Sequence, residues 1–83
     1  MRVMLKLYAS LGVFLPPGAD GNVVSVDVPD GTTVLALLDL YNVPRQQCHL
    51  VLVNGVFQPP VSRAAKRLVA DDHVAAWPPV AGG

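Results

Sequence analysis

The stretch that decides the fold is VAAWPPVAGG, residues 74–83. Its apolar start predicts a short final β-strand from Val74 to Trp77, with the indole anchored in the core. Pro78 and Pro79 have no backbone N–H to donate, so a sheet ladder cannot continue through them. Consecutive prolines also favour the stiff, extended polyproline conformation. The stretch therefore predicts that the last strand is followed by a projecting tail.

This stretch divides the chain into two predicted parts. They are one folded domain over residues 1–77 and an extended, flexible tail over residues 78–83. At about 3.3 Å per residue, a tail of this length reaches up to about 20 Å, far enough to enter the active site of another protein. Gly82 and Gly83 carry no Cβ, so they fit a narrow channel and leave the terminal carboxylate unhindered.

Two alternating segments near the N-terminus predict strands with one buried face. Val3, Leu5 and Leu7 share one face of the first segment. Valines repeat at every second position over residues 24–28, and Pro-Asp-Gly at 29–31 supplies turn chemistry after them. We expect these two strands to pair antiparallel across the long Pro- and Gly-containing loop that joins them.

The hydrophobic period then changes to that of a helix. Thr32 or Thr33 can cap its N-terminus, and Asn42 and Pro44 end it, which predicts about three turns. Residues at i, i+3, i+4 and i+7 form one apolar stripe. They are Val34, Leu37, Leu38 and Tyr41.

The second half of the chain predicts further strands. The apolar run at residues 50–53 is typical of a strand buried on both faces, and Asn54-Gly55 favours a type I′ hairpin turn into a short strand at Val56-Phe57. A helical turn is expected within residues 62–69. The order of elements predicts an α+β fold, a mixed sheet of four to five strands with one main helix packed on one face.

Composition excludes several classes of protein. Of 83 residues, 52% are hydrophobic and 14% charged, which argues against disorder. The formal net charge is +0, so no overall field attracts nucleic acid or an anionic membrane. No apolar run approaches the roughly 20 residues that span a bilayer, and Lys6 interrupts the apolar start that a secretory signal needs. These features predict a soluble, cytoplasmic protein.

Two groups of polar residues offer weak catalytic or metal-binding hypotheses. Cys48 and His49 are adjacent, but sequence neighbours rarely face each other and no third orienting group is evident, so a structural cysteine is favoured. The consecutive Asp-Asp-His at residues 71–73 diverges in space and has no second ligand cluster, which favours a turn. No metal site is predicted.

A basic group near residue 65 offers a docking hypothesis. Arg63, Lys66 and Arg67 form a solvated face or a docking surface for an acidic patch of a partner, to which Phe57 could add apolar contact. No aromatic residues interleave with these charges, so nucleic acid is the weaker interpretation.

Three stretches together resemble the ubiquitin-like sulfur-carrier family (MoaD/ThiS), which includes the small subunit of molybdopterin synthase and the sulfur carrier of the thiamine pathway. They are VMLKLYASL at residues 3–11, VNG at 53–55 and VAAWPPVAGG at 74–83. The resemblance implies a β-grasp fold in which the first and last strands are parallel and adjacent at the centre of the sheet.

The resemblance also implies a chemistry for the tail. An E1-like enzyme that consumes ATP would adenylate Gly83, and a persulfide donor would convert it to a thiocarboxylate. The protein would be a co-substrate without a bound cofactor, and not an enzyme. The remaining tail residues would position this group and give access to it: Pro78, Pro79, Val80, Ala81 and Gly82.

Alternatives remain open at the level of pathway and product. The ending PPVAGG is closest to the molybdopterin branch, with a molybdopterin synthase large subunit as the sulfur acceptor. The same carrier chemistry could instead supply a thiazole synthase or another sulfur-containing metabolite. A ubiquitin-like modifier joined to target lysines through Gly83, or a plain β-grasp interaction module, are alternatives of different classes.

Overall fold

Five strands form one mixed sheet in a computed structural model that describes residues 1–80. Ala81, Gly82 and Gly83 lie outside the described residues. The strands are β1 (Arg2–Leu7), β2 (Val23–Asp27), β3 (Leu50–Val53), β4 (Val56–Phe57) and β5 (His73–Trp77), and the α-helix is α1 (Val34–Leu40). Short 3-10 helices occupy Ala9–Phe14, Arg45–Gln47 and Pro60–Ser62. This is the predicted α+β, β-grasp architecture.

The first and last strands lie together in the middle of the sheet. The strand order is β2-β1-β5-β3-β4. Strand β1 pairs antiparallel with β2, with Leu5 opposite Val24, and parallel with β5, with Leu5 opposite Val74. The antiparallel pairing of the N-terminal strands and the parallel central pair are both confirmed. The C-terminus of β5 therefore leaves the sheet beside its centre.

Helix α1 covers one face of this sheet and completes the core. The core-facing residues of β1, Val3, Leu5 and Leu7, are fully buried against the apolar stripe of the helix. Burying each such side chain stabilises the fold by about 1.5–3 kcal/mol. Leu11, in the 3-10 helix after β1, is also buried in this core, so the long loop after β1 is anchored.

Helix α1 is shorter than predicted. It has seven residues, about two turns and not three, because Tyr41 caps its C-terminus and Asn42 adopts a left-handed φ of 62°. Thr33 is the N-cap, and its hydroxyl accepts from the backbone N–H of Ala36 at 3.1 Å. The hydroxyl of Thr32 donates instead to the carbonyl of Pro29.

The segment before β5 forms the single helical turn expected within residues 62–69, because the backbone N–H groups of Ala65 and Lys66 both donate to the carbonyl of Ser62, at 3.2 and 2.9 Å. It follows the 3-10 helix Pro60–Ser62 with turns, and its carbonyl groups complete the start of α1. Val34 N–H donates to Lys66 at 2.9 Å, and Leu35 N–H donates to Arg63 at 3.0 Å. These bonds satisfy backbone donors that a helix N-terminus leaves free.

Strand β3 is buried on one face only, so the prediction of burial on both faces was wrong. Val51 and Val53 face the core, whereas Leu50 is exposed and Leu52 is half-buried. Within residues 1–80, α1 packs on the face that carries Val51 and Val53, and the side chains of Leu50 and Leu52 lie on the opposite face, outside the core cluster.

The turn between β3 and β4 is the predicted hairpin and also holds the start of β5. Asn54 and Gly55 have φ values of 50° and 83°, as a type I′ turn requires. The Asn54 amide donates to Asp72 at 2.9 Å and accepts from the His73 N–H at 2.8 Å. The other carboxylate oxygen of Asp72 accepts from the Val69 N–H. Asp71 and Asp72 therefore belong to the turn before β5, as predicted, and His73 begins the strand.

Candidate functional site

The tail begins at the end of the central strand β5. The carbonyl of Trp77 accepts from the backbone N–H of His49 at 3.0 Å, so the last ladder bond lies at the final residue of the strand. Pro78, Pro79 and Val80 follow without regular secondary structure. The division into a domain over residues 1–77 and a tail over 78–83 stays a prediction, because the last three residues lie outside the described part.

Trp77 does not anchor the strand in the core, contrary to the prediction. Its neighbour Ala76 is fully buried on the helix side, so alternation places the indole on the opposite face. There it stacks on Tyr8, with ring centroids 4.5 Å apart and planes inclined by 7°. The aromatic pair stabilises the point where the tail leaves the sheet.

The face of the sheet opposite α1, here called the open face, carries neighbouring apolar side chains on β3, β4 and β5. The pairing register places Leu50 opposite Trp77, and Leu52 opposite both Ala75 and Phe57. Phe57 is 51% exposed and Leu50 is 36% exposed. An apolar surface that its own fold leaves uncovered is typical of a protein interaction site.

A groove of about 470 Å³ joins the open face to the tail, and we call it the tail groove. Its walls come from three parts of the chain: the segment after β1, the start of β3, and the end of β5 with the tail. The lining residues are Ala9, Ser10, His49, Leu50, Trp77, Pro78, Pro79 and Val80. The first described tail residues are therefore part of a surface and not isolated from the domain.

The structure separates the residues of the predicted docking surface. Lys66 and Arg67 are exposed, next to the start of α1, where Arg67 forms a β-bridge with Thr33. Phe57 lies on the open face. Arg63 is only 4% exposed, so it does not belong to a solvated basic face or docking surface. Its guanidinium is held by backbone carbonyls, which the sequence pattern could not reveal.

Cys48 and His49 do not form a catalytic pair in this environment. The Cys48 thiol is buried and donates to the carbonyl of Pro44 at 3.4 Å. Burial raises the pKa of the Cys48 thiol, which disfavours the nucleophilic thiolate. His49 is exposed and lines the tail groove. The structural interpretation of Cys48 fits these contacts.

Sequence reasoning missed Tyr8 and Leu50 as neighbours of the tail. Tyr8 follows Met4 and Lys6 on the outward side of the alternating pattern, and Leu50 begins an apolar run. The parallel pairing of β1 with β5 would have placed Tyr8 beside Trp77. The predicted site residues Ala81, Gly82 and Gly83 lie outside the described residues, so their roles stay predictions.

Comparison with models of protein families shows the family to which the chain belongs. A family model described as the ThiS family matches residues 19–83. The chain belongs to the ThiS family. The match begins in the loop before β2 and extends through the Gly-Gly ending. The predicted relationship to ubiquitin-like sulfur carriers is confirmed.

Solved structures support the fold of this ThiS-family chain over its whole length. The crystal structure of SAMP1 from Haloferax volcanii is 28% identical, with all of both chains covered and a TM-score of 0.70. A crystal structure of the H. volcanii small archaeal modifier protein 1 is 25% identical, covers 95% of this chain and 98% of its own, and has a TM-score of 0.69. A search of curated proteins found no match. Within residues 1–80, no helix has the length and apolar character needed to cross a membrane.

Proposed function

We propose that this protein is a sulfur carrier whose Gly83 carboxylate is adenylated and converted to a thiocarboxylate. The observation that carries the proposal is the family match, which continues to Gly83 itself. The geometry supports it, because the chain leaves the end of the central strand through Pro78 and Pro79, beside an apolar groove and the open face.

The chemistry proceeds on the tail and not on the domain. The carboxylate oxygen attacks the α-phosphorus of ATP and pyrophosphate leaves, which gives an acyl-adenylate at Gly83. A persulfide sulfur then attacks the acyl carbonyl and displaces AMP. A thiol reduces the resulting S–S bond and leaves the thiocarboxylate. The activating enzyme supplies the catalytic groups, and this chain supplies an accessible, unhindered carbonyl.

We propose the molybdopterin branch as the pathway, with a molybdopterin synthase large subunit as the acceptor. The ending PPVAGG supports this choice. The partner would grip the extended tail along its backbone, as in strand-like peptide recognition. Ordering the tail costs roughly 1–2 kcal/mol per residue, so the open face must add apolar contact area. Supply of sulfur to a thiazole synthase is the alternative within the same chemistry.

A second candidate function is protein modification, with Gly83 joined to lysines of target proteins. The observation that favours it is the likeness to a small archaeal modifier protein over nearly the whole of both chains. Both functions begin with the same adenylate and differ in the nucleophile that follows. A sulfur carrier yields a free thiocarboxylate, whereas a modifier yields isopeptide conjugates.

The terminal carboxylate is tested by adding one residue after Gly83. We expect ATP–pyrophosphate exchange with the cognate activating enzyme to be abolished, because the glycine carboxylate becomes an amide. The matched control inserts one residue between Val80 and Ala81, which lengthens the tail equally but keeps the Gly-Gly ending. Exchange should persist in the control. Normal exchange by the chain extended after Gly83 would contradict the proposal.

The branch is tested by reconstitution with thiocarboxylated protein. We expect the dithiolene product when it is mixed with a molybdopterin synthase large subunit and the sulfur-free pterin precursor. Sulfur delivery to a thiazole synthase without any dithiolene product would overturn the pathway and leave the carrier chemistry standing. Isopeptide conjugates without sulfur delivery to either synthase would favour the modifier.

A further inference from the structure

A second cavity, of about 350 Å³, lies beside the tail groove and shares His49 with it. We call it the Arg63 pocket. Its lining combines two arginines and a histidine with apolar and amide side chains, and it contains no carboxylate within the described residues. The lining residues are Leu35, Arg45, Gln46, Cys48, His49, Pro60 and Arg63.

The buried guanidinium of Arg63 lines this pocket and gives its buried end, here called the floor, a positive charge. Its Nε donates to the carbonyl of Gln58 at 2.9 Å, Nη1 to Cys48 at 2.7 Å and Nη2 to His49 at 3.3 Å. A guanidinium has five N–H donors. One donor on each terminal nitrogen therefore has no protein acceptor among residues 1–80. The three carbonyl groups orient the side chain, so it is rigid before any ligand arrives.

No group in the described lining neutralises the Arg63 charge. Within residues 1–80, no carboxylate lies within ion-pair distance of it. The neighbouring Cys48 thiol cannot serve as a counter-charge, because burial raises its pKa. Burial lowers the pKa of Arg63, yet a guanidinium stays protonated in proteins. A charge removed from water in this way is costly unless it is paired.

Arg45 places a second cation at the exposed rim of the pocket, but among the described residues this cation is paired with a carboxylate and the Arg63 guanidinium is not. The Nη2 of Arg45 donates to the Asp39 carboxylate at 2.7 Å, and the side chains of Arg45 and Asp39 are 64% and 40% exposed. Asp39 itself does not line the pocket. The rim is thus close to neutral, whereas the floor keeps a net positive charge. This arrangement attracts an anion to the buried end of the pocket and not to its mouth.

We propose that the Arg63 pocket is a binding site for a small oxyanion, the class that includes sulfate and phosphate. Two unmatched N–H donors on a planar guanidinium suit oxygen atoms of a planar or tetrahedral anion, and charge-assisted bonds of this kind are the strong ones. The cavity is at the small end of the usual range for ligand sites, about 300–1,000 Å³. The site does not depend on sulfur transfer through the tail.

The first test titrates the full-length protein with sodium sulfate and follows its 15N NMR spectrum. We expect saturable shifts of the Cys48 and His49 amides and of the Arg63 Nε–H, beyond those caused by sodium chloride at equal ionic strength. A titration with sodium phosphate should shift the same signals. If sulfate produces no saturable change at these three positions beyond that of chloride, the proposal is wrong.

The second test places a carboxylate in the pocket by substitution. Gln46 lines the pocket, whereas the next residue, Gln47, belongs to the same 3-10 helix but does not. Gln46→Glu should weaken sulfate binding at least tenfold, because its carboxylate pairs with the Arg63 guanidinium in place of the anion. For the same reason, it should raise the thermal unfolding midpoint measured without sulfate. Gln47→Glu adds the same charge outside the pocket and should change neither. Equal behaviour of the two variants would overturn the proposal.

Discussion

Both faces of the half of the sheet formed by β3, β4 and β5 carry apolar side chains, but the two faces lie in opposite environments. On the covered face, Leu5 and Val51 are fully buried beneath α1. On the open face, Leu52 is half-buried, and Phe57 keeps half of its surface in solvent. The covered face stabilises the fold, whereas the apolar residues of the open face lie outside the main core cluster.

The difference teaches that hydrophobicity in this chain serves two purposes. Burial of apolar area stabilises the folded state only where a second layer removes it from water. The open face gains little in this way until a partner covers it. Because the tail leaves beside this face, a partner that binds the tail can also bury the apolar surface. The predictions below compare the two faces directly.

The largest expected effect is on the covered face. Leu5→Ala should lower the free energy of unfolding by about 2–5 kcal/mol, because it removes a fully buried side chain and leaves a cavity. Leu52→Ala, the matched change on the open face, should cost about 1 kcal/mol or less. Urea denaturation measures both losses, provided that the m-value, the dependence of the unfolding free energy on urea concentration, is the same in each variant. Equal losses would mean that the open face is part of the folding core.

An intermediate effect is expected on partner binding. Phe57→Ala should weaken the complex with the activating enzyme or the sulfur acceptor by about 1–2 kcal/mol, since an aromatic residue in an interface often contributes this much. Leu40 is the control: it is 55% exposed, compared with 51% for Phe57, but belongs to α1 on the other side of the sheet. Calorimetric titration should show unchanged affinity for Leu40→Ala. A larger loss in the Leu40 variant would place the interface on the helix side.

The smallest expected effect is on the stability contributed by two exposed ion pairs. Arg2–Asp27 lies on the open face, and Arg45–Asp39 lies on the helix side of the sheet. Hydrogen bonds from Arg45 lower the pKa of Asp39 below its ordinary value of 3.8, and Arg2 does the same for Asp27. A lowered pKa in the folded state means stability that is present above the ordinary value and lost as pH falls through the lowered one.

The two pairs should therefore behave alike, although they lie on different sides. Arg45→Gln and Arg2→Gln should each reduce stability slightly at neutral pH, and this loss should disappear as the pH falls through the lowered pKa of the partner carboxyl group. Chemical denaturation across this pH range measures the difference from the unsubstituted protein. A destabilisation that persists unchanged at low pH would show that the arginines act through packing instead.

Local sequence signals predicted most of the architecture because they act over a few residues. Alternation located β1 and β2, Asn54-Gly55 located the hairpin, and the pair Thr32-Thr33 located the start of the helix. Pro78 and Pro79 predicted where the last strand ends, because a residue without an N–H cannot extend a ladder. The family resemblance, carried mainly by the final stretch, supplied the parallel central pair.

Only the tertiary structure decided which environment each apolar or charged residue meets. Trp77 was expected in the core but lies on the open face, because the register beside β1 gives the buried position to Ala76. Arg63 was expected on the surface but is buried, because carbonyls from residues 48, 49 and 58 converge on it. The sequence by itself determined the strands, the α-helix and their order, since propensity, capping and turn chemistry are local. The open face, the tail groove and the Arg63 pocket depend on contacts between distant segments, which a local pattern does not encode.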